Sequence, residues 1–241
     1  MEAQVERCPV CTSHSATVAA PNGYLLCATC GNRYRFKFHT RESLAQWMHG
    51  FALSGMYDAT KREARRIKAK GWYDTFISTC GEPAVKNAWD IGCACGFSLT
   101  PFYGDGWSVG GNDLSKGQIE RARTDMGGQF FNGYFEDVPE SMIGNVSLFI
   151  FWNSLEHLHS PNETFAALRK VSTSPHYVFI EVPTKTDEQM VAHNEGPHSV
   201  EFTPVGLRRF LDGNGYKVVY WKEFKPGNGE ANYTVCIGKA Q

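Results

Sequence analysis

The chain has 241 residues, of which 42% are hydrophobic and 20% charged, with a formal net charge of −1 at pH 7. That is ordinary globular composition, enough for one core-bearing domain and a small appendage. No apolar run reaches the roughly 18 residues of a membrane-spanning helix, and MEAQVERCPVC lacks the basic start and apolar core of a secretory signal. A cytoplasmic protein with no membrane partner is therefore expected.

The overall charge hides an asymmetry. Residues 1–70 hold 11 Lys and Arg against 5 Asp and Glu, a balance of +6, whereas residues 71–241 hold 13 against 20, a balance of −7. A basic front segment suits an anionic partner such as phosphate, nucleotide or nucleic acid, and equally suits the solvated helix faces of a two-part protein.

Residues 1–38 are short extended stretches punctuated by Cys, Gly and Pro. Cys8-Pro-Val-Cys11 and Cys27-Ala-Thr-Cys30 are two C-x2-C turns that can aim four sulfurs at one tetrahedral Zn²⁺. Between them AAPNGYLL reads as a hairpin with Asn22-Gly23 at its tip. A piece this small buries too little surface to fold alone, so the metal supplies the missing free energy. With all four positions filled by Cys8, Cys11, Cys27 and Cys30, no coordination site is left for catalysis. Beyond the second turn, Arg33, Arg35 and Lys37 interleave with Tyr34, Phe36 and Phe38. That alternation fits a basic-aromatic nucleic-acid face, or a half-buried strand with aromatics inward and cations outward.

Residues 39–80 carry helix formers and few strand signals, and predict two or three helices, the second strongly basic. From Asn87 onward strands and helices alternate. AWDIG, GWSVGGNDLS, GQFFNGYFEDV, SLFIFWN and HYVFIEVP read as strands, with helices over KGQIERARTDM, PNETFAALRKVS and TPVGLRRFLDGNG. YKVVYWKEF and ANYTVCIGKA read as two strands joined across PGNGE. Such alternation predicts an α/β fold: a parallel sheet covered on both faces and closed by a terminal hairpin. The expected divisions are a zinc ribbon at 1–38, a helical linker or lid at 39–80, and an α/β domain at 81–241.

Asp90-Ile91-Gly92-Cys93-Ala94-Cys95-Gly96 leaves the first of these strands and precedes Phe97-Ser98-Leu99, which should open a helix. A Gly-rich turn there lets backbone approach a ligand beside a helix N-terminus. About 20 residues on, Asn112-Asp113-Leu114-Ser115 closes the next strand, where an acidic side chain can accept both hydroxyls of a ribose.

These residues resemble the class I S-adenosylmethionine-dependent methyltransferases. Asp90–Gly96 is similar to their first motif, D-x-G-x-G-x-G, and Asn112–Ser115, with Ile119 and Ala122, to their second. NGYFEDVP at 132–139 resembles the segment that holds the adenine. WNSLEHL at 152–158 resembles the Leu-Glu-His motif after the fourth strand, as found in small-molecule and O-methyltransferases, and Ile180–Pro183 and His198–Thr203 match the downstream pattern. The resemblance implies a Rossmann-like doubly wound sheet of seven strands, the last antiparallel, with helices on both faces. It implies S-adenosyl-L-methionine as methyl donor and S-adenosyl-L-homocysteine as product. Asp90 with the turn over Gly92, Cys93, Ala94 and Gly96 would take the methionine part; Asn112, Asp113 and Leu114 the ribose; Phe135 and Glu136 the adenine. Trp152 would close over the sulfonium, a cation that aromatic faces attract. His157 and His198 would be the proton acceptors for a hydroxyl substrate.

The sequence departs from the family pattern in Ala94, where a Gly is usual, in Tyr134, where an acidic residue often meets the adenine, and in Ser147, where Asp is common. Asn153 also replaces the first Glu of an E-x-x-E-H metal cluster found in some related quinone-pathway enzymes. The reading is methyl transfer to oxygen of a small molecule or sugar-type metabolite. The alternatives are an RNA methyltransferase that uses the basic N-terminal segment for its substrate, and a non-catalytic cofactor-binding scaffold.

Overall fold

The structure, a computed structural model, describes residues 3–4, 7–14, 16–20, 24–35, 37–38, 44, 46, 59–172, 175–186, 198–225 and 232–241. The turn expected at Asn22-Gly23, the aromatic Phe36, most of the helices expected over 39–58 and the PGNGE connection lie outside the described residues.

The strands in chain order are β1 (Ala3–Gln4), β2 (Ala16–Ala20), β3 (Tyr24–Cys27), β4 (Arg33–Arg35), β5 (Lys37–Phe38), β6 (Asn87–Ile91), β7 (Ser108–Asp113), β8 (Gln129–Asn132), β9 (Leu148–Trp152), β10 (Tyr177–Pro183), β11 (Val200–Glu201), β12 (Tyr216–Phe224) and β13 (Tyr233–Ala240). Seven of them form the main sheet in the order β12-β13-β10-β9-β6-β7-β8. β6 runs parallel to β7 and β9, and β7 parallel to β8. β12 and β13 pair antiparallel, as the terminal hairpin predicts. No helix among the described residues is long and apolar enough to cross a membrane.

The chain divides into two compact units. One comprises Arg41–Trp152 and Ala167–Phe179. Its strands are apolar runs because a parallel sheet is buried on both faces: Ala88, Trp89, Ile91, Leu148, Phe149, Ile150 and Phe151 are all buried. The helix Ala59–Cys80 places Ala69, Trp72, Tyr73 and Phe76 on one stripe, at the helical spacing. Phe76 meets Phe102, Trp107 and Tyr177 edge-on or tilted. The helix stops where Gly81, in the left-handed region at φ 72°, donates its N–H to Ile77 O at 2.9 Å. One expectation is corrected here. The third strand ends at Asn132, and FED at 135–137 is a 3-10 turn. The helix after the Gly-rich turn starts as a 3-10 turn, Phe97–Leu99, before the α-helix Thr100–Gly104.

The other unit comprises Met1–Thr40, Asn153–Ala166 and Ile180–Gln241. Its core packs Phe165 against Phe210 and Tyr216. The cysteine-rich strands form a four-stranded antiparallel sheet in the order β11-β4-β3-β2, so a two-residue strand from far along the chain completes it. Val200 sits opposite Tyr34 and Glu201 opposite Arg33.

That pairing overturns the outward-facing reading for Arg33, while Tyr34 is buried as the half-buried-strand reading expects. Arg33 is 1% exposed, and its guanidinium forms a buried ion pair with Glu201, with Nε donating to Oε2 at 2.6 Å. Arg33 therefore serves the fold and offers no charge to a phosphate. Removing one partner of such a pair strands the other charge in a dry interior, at about 3–5 kcal/mol. Arg33→Met is expected to lower the unfolding free energy by about that amount, and the double variant Arg33→Met/Glu201→Leu to recover most of it. Urea unfolding of the three proteins measures this; equal stability of the single variant and the parent contradicts it.

Candidate active site

The Gly-rich turn is built from backbone. Gly92 and Cys93 both donate N–H to Asn112 O, at 2.9 and 3.0 Å, so β7 braces the loop that leaves β6. Gly92 (φ 77°) and Gly96 (φ 79°) occupy the left-handed region, and a Cβ on Gly96 would also strike the Met126 methyl. Ala94, where the family usually has Gly, is left-handed too, at φ 47°. Its Cβ costs about 1 kcal/mol there, which its N–H offsets by donating to Asp113 Oδ2 at 2.9 Å. Cys93 and Cys95 are buried, and burial pushes the Cys95 thiol up to about 11 and that of Cys93 well above its ordinary value.

The two acidic residues at the strand ends differ in what they still have to give. Asp90 is buried; the Ser98 hydroxyl donates to Oδ2, while Oδ1 has no partner. Burial raises its pKa to about 7, with a further push from the Asp113 charge. A buried carboxylate oxygen without a donor fits a site that receives an ammonium or N–H group from a ligand. Asp113, also buried, accepts Ala94 N–H on one oxygen and Ser115 N–H on the other at 2.7 Å. Each of its oxygens keeps a further lone pair.

The remaining expected contacts divide. Asn112 spends its side chain internally, accepting from Trp89 Nε1 at 3.1 Å and donating to Gly133 O at 3.2 Å. Leu114 is half-buried and Glu136 exposed. Phe135 is buried, its ring edge-on to Phe149 at 6.1 Å. Trp152 lines a crevice of about 270 Å³, open mouth included, with Trp72, Phe102, Phe179 and Ser98. The Lys68 ammonium stands 5.8 Å over the Trp152 ring, so that face already attracts a cation. Sequence reasoning missed Ser98 and the aromatic wall of Trp72, Phe102 and Phe179; the i, i+3, i+7 stripe on the helix Ala59–Cys80 was the signal for Trp72.

The expected proton acceptors lie in the other unit, and the fold does bring them together. His157, in the Leu155–His157 turn, and His198 meet edge-on with ring centroids 5.1 Å apart. Glu156 is buried beside them, with Oε1 3.9 Å from His157 Nε2 and Oε2 without a partner. His198 Nδ1 lies 4.0 Å from Glu201 Oε1. Burial, then the Lys185 and Arg35 charges, lowers the His198 pKa to about 4, so its ring is neutral near pH 7.

Burial, reinforced by the charge of Glu181, raises the Glu156 pKa from 4.5 to about 8. Between those values the folded protein keeps a proton that the unfolded chain has released, so stability falls as pH rises through that window, by at most about 1.4 kcal/mol per pH unit. Glu156→Gln is expected to flatten the slope, read as the change in urea midpoint between about pH 5 and pH 8. An unchanged slope would show that Glu156 ionises normally.

The four cysteines converge, with their sulfurs all within 4.8 Å of one another. Cys8 and Cys30 Sγ are 3.7 Å apart, and Cys11 and Cys27 Sγ 3.5 Å. Thiolates about 2.3 Å from one tetrahedral ion are about 3.8 Å from each other, so the donor set fits a zinc ion. Asn162 Nδ2 donates to Pro9 O and Val10 O in the first C-x2-C turn, and Arg209 donates to Thr29 O in the second.

Comparison with known proteins decides the family. A family model for a methyltransferase domain matches residues 59–220. The chain belongs to that methyltransferase family. It is a methyltransferase. No curated protein shows significant sequence similarity to it. Among solved structures, the methyltransferase is similar to the 1,6-didemethyltoxoflavin N1-methyltransferase of Burkholderia thailandensis, solved with bound 1,6-didemethyltoxoflavin and S-adenosylhomocysteine. The TM-score is 0.63 at 14% identity, over 89% of this chain and 97% of that one. It is also similar to the magnesium protoporphyrin IX methyltransferase of Synechocystis with bound S-adenosylhomocysteine (TM-score 0.58, 12% identity, 83% and 95% covered). A third is the plantazolicin methyltransferase in complex with S-adenosylhomocysteine (TM-score 0.54, 14% identity, 83% and 99% covered). At these identities the likeness is one of fold.

Proposed function

We propose that this methyltransferase moves a methyl group from S-adenosylmethionine to an oxygen of a small-molecule acceptor, of the sugar or other hydroxyl-bearing metabolite class. The observation that carries the acceptor chemistry is the His157–His198 pair beside buried Glu156, a proton-accepting group that a hydroxyl acceptor needs. The donor, when bound, supplies an activated methyl on a sulfonium. Asp90 and the turn over Gly92–Gly96 receive its methionine end, and Asp113 and Leu114 its ribose. Phe135 and Glu136 border its adenine, and Trp152 offers its ring face to the cation. Asn112 contributes by holding Trp89 and Gly133 in place. His157 takes the proton that the acceptor hydroxyl loses as the oxygen–methyl bond forms, and His198 packs against it as a neutral partner. Cys8, Cys11, Cys27 and Cys30 hold one structural Zn²⁺.

Similar solved folds support a small acceptor, since those named act on a toxoflavin precursor, a magnesium porphyrin and plantazolicin. Burial of Arg33 counts against the RNA reading, which needs the N-terminal cations free for phosphate. The test supplies S-adenosylmethionine carrying a labelled methyl group together with a metabolite extract or with total RNA. Label in an O-methyl product of the metabolite fraction, with RNA inert, is the expected result; label in RNA, or in no fraction, overturns the reading. Once the acceptor is isolated, His157→Ala is expected to lower kcat about 100-fold and leave donor affinity unchanged. Near-normal turnover would return His157 to a packing role.

A further inference from the structure

The segment that carries His198 is bonded on both sides. Toward the cysteine-rich strands, the Tyr24 hydroxyl and Arg35 Nε both donate to His198 O, at 2.8 and 3.0 Å, and Arg35 N–H donates to Ser199 O at 3.0 Å. One residue pair further, Glu201 is opposite Arg33 and ion-paired to it. The rings and charges interlock: the Arg33 and Arg35 guanidiniums stand 4.6 and 4.9 Å from the Tyr24 ring centroid. Toward the histidine turn, Ser199 N–H donates to Glu156 O at 2.8 Å and its hydroxyl to His157 O at 3.2 Å. A continuous run of hydrogen bonds thus leads from β3 and β4 through residues 198–201 to the backbone of Glu156 and His157.

We propose that the four-cysteine element is a clamp that sets the His157–His198 pair, with Tyr24, Arg33 and Arg35 as positioning residues. The inference rests on the reading of His157 as the proton acceptor. Two-residue β11 cannot hold a register alone, because a strand that short makes too few ladder bonds to offset the entropy of ordering it. Its partner β4 begins three residues after Cys30, so the C-x2-C turns that fix β3 and β4 also fix the strand edge on which residues 198–201 lie. The clamp touches no reacting atom. It decides where two rings stand.

The test compares three full-length proteins: zinc-loaded parent, parent stripped by a chelator, and zinc-loaded Tyr24→Phe/Arg35→Gln. The double variant keeps the cysteines, the Arg33–Glu201 pair and every backbone bond of β4, and loses the two side-chain bonds to His198 O. It is expected to retain one zinc per chain and to bind S-adenosylmethionine within about twofold of the parent. Exchange of the Ser199, Val200 and Glu201 amides should quicken at least about tenfold, the factor expected from losing two hydrogen bonds. The His157 and His198 imidazole NMR signals should shift, and both effects should recur on zinc removal. Unaltered exchange and unaltered imidazole signals in the double variant overturn the clamp, whatever zinc removal does. Failure of the functional reading looks different: no donor binding in the parent by calorimetry, or full turnover by His157→Ala, with the exchange result unaffected.

Discussion

Serine at Cys27 and Cys30 together is expected to abolish zinc binding, from one ion per chain to none, and to unfold β2, β3 and β4. The strands involved are five, four and three residues long, and a segment of under about 40 residues buries too little surface to fold alone. Metal binding contributes about 10–16 kcal/mol in comparable thiolate sites, more than a sheet of that size can supply from packing. Cys27 and Cys30 are both buried, so two serines there leave hydroxyls facing Cys8 and Cys11 with no ion between them. Metal analysis and amide exchange check the outcome. Protection is expected to vanish over β2, β3 and β4 and to weaken at Val200–Glu201, while the buried strands β6, β7 and β9 of the other unit keep theirs. Full protection of β2–β4 in the double serine variant would mean that the cysteines are only core thiols.

The second large effect is at Asp113. Asp113→Ala is expected to weaken S-adenosylmethionine binding about 100-fold or more, since hydrogen bonds to a charged group are worth about 1.5–3 kcal/mol each. Two losses combine: the acceptors proposed for the ribose hydroxyls, and the anchors of Ala94 N–H and Ser115 N–H. Without the first anchor, Ala94 has no bond to offset its left-handed backbone, and the turn from Gly92 to Gly96 relaxes. Stability without ligand should change less, because burial already disfavours the Asp113 charge and raises its pKa. Asp113→Asn separates the two losses, since its carbonyl oxygen can keep one anchor and shed the charge. Unchanged calorimetric affinity in both variants would remove Asp113 from the donor site.

How much of this could be read in advance depends on how local each signal is. KGQIERARTDM forms a helix over the predicted residues, Lys116–Met126, because its stop is local: Gly127 takes the left-handed region and caps Arg123 O. The strand ends bearing Asp90 and Asp113 were legible because parallel strands are apolar runs and the turns that leave them need Gly. Ser98, eight residues from Asp90, was not, because a single hydroxyl in a helix start has many local roles.

By itself the sequence determined the α/β alternation, the two C-x2-C turns, the Gly-rich turn and the acidic residues at the ends of β6 and β7. All of these depend on neighbours within a few residues, where periodicity, Gly conformational freedom and ligand spacing operate. Only the tertiary structure decided that Arg33 is buried on Glu201 rather than offered to solvent, that Val200–Glu201 completes the cysteine-rich sheet, and that His157 and His198 share a ring contact. Those pairs lie far apart along the chain, and no residue pattern near Arg33 marks which carboxylate will meet it. A charge written in a sequence looks exposed until the strand that buries it is in place.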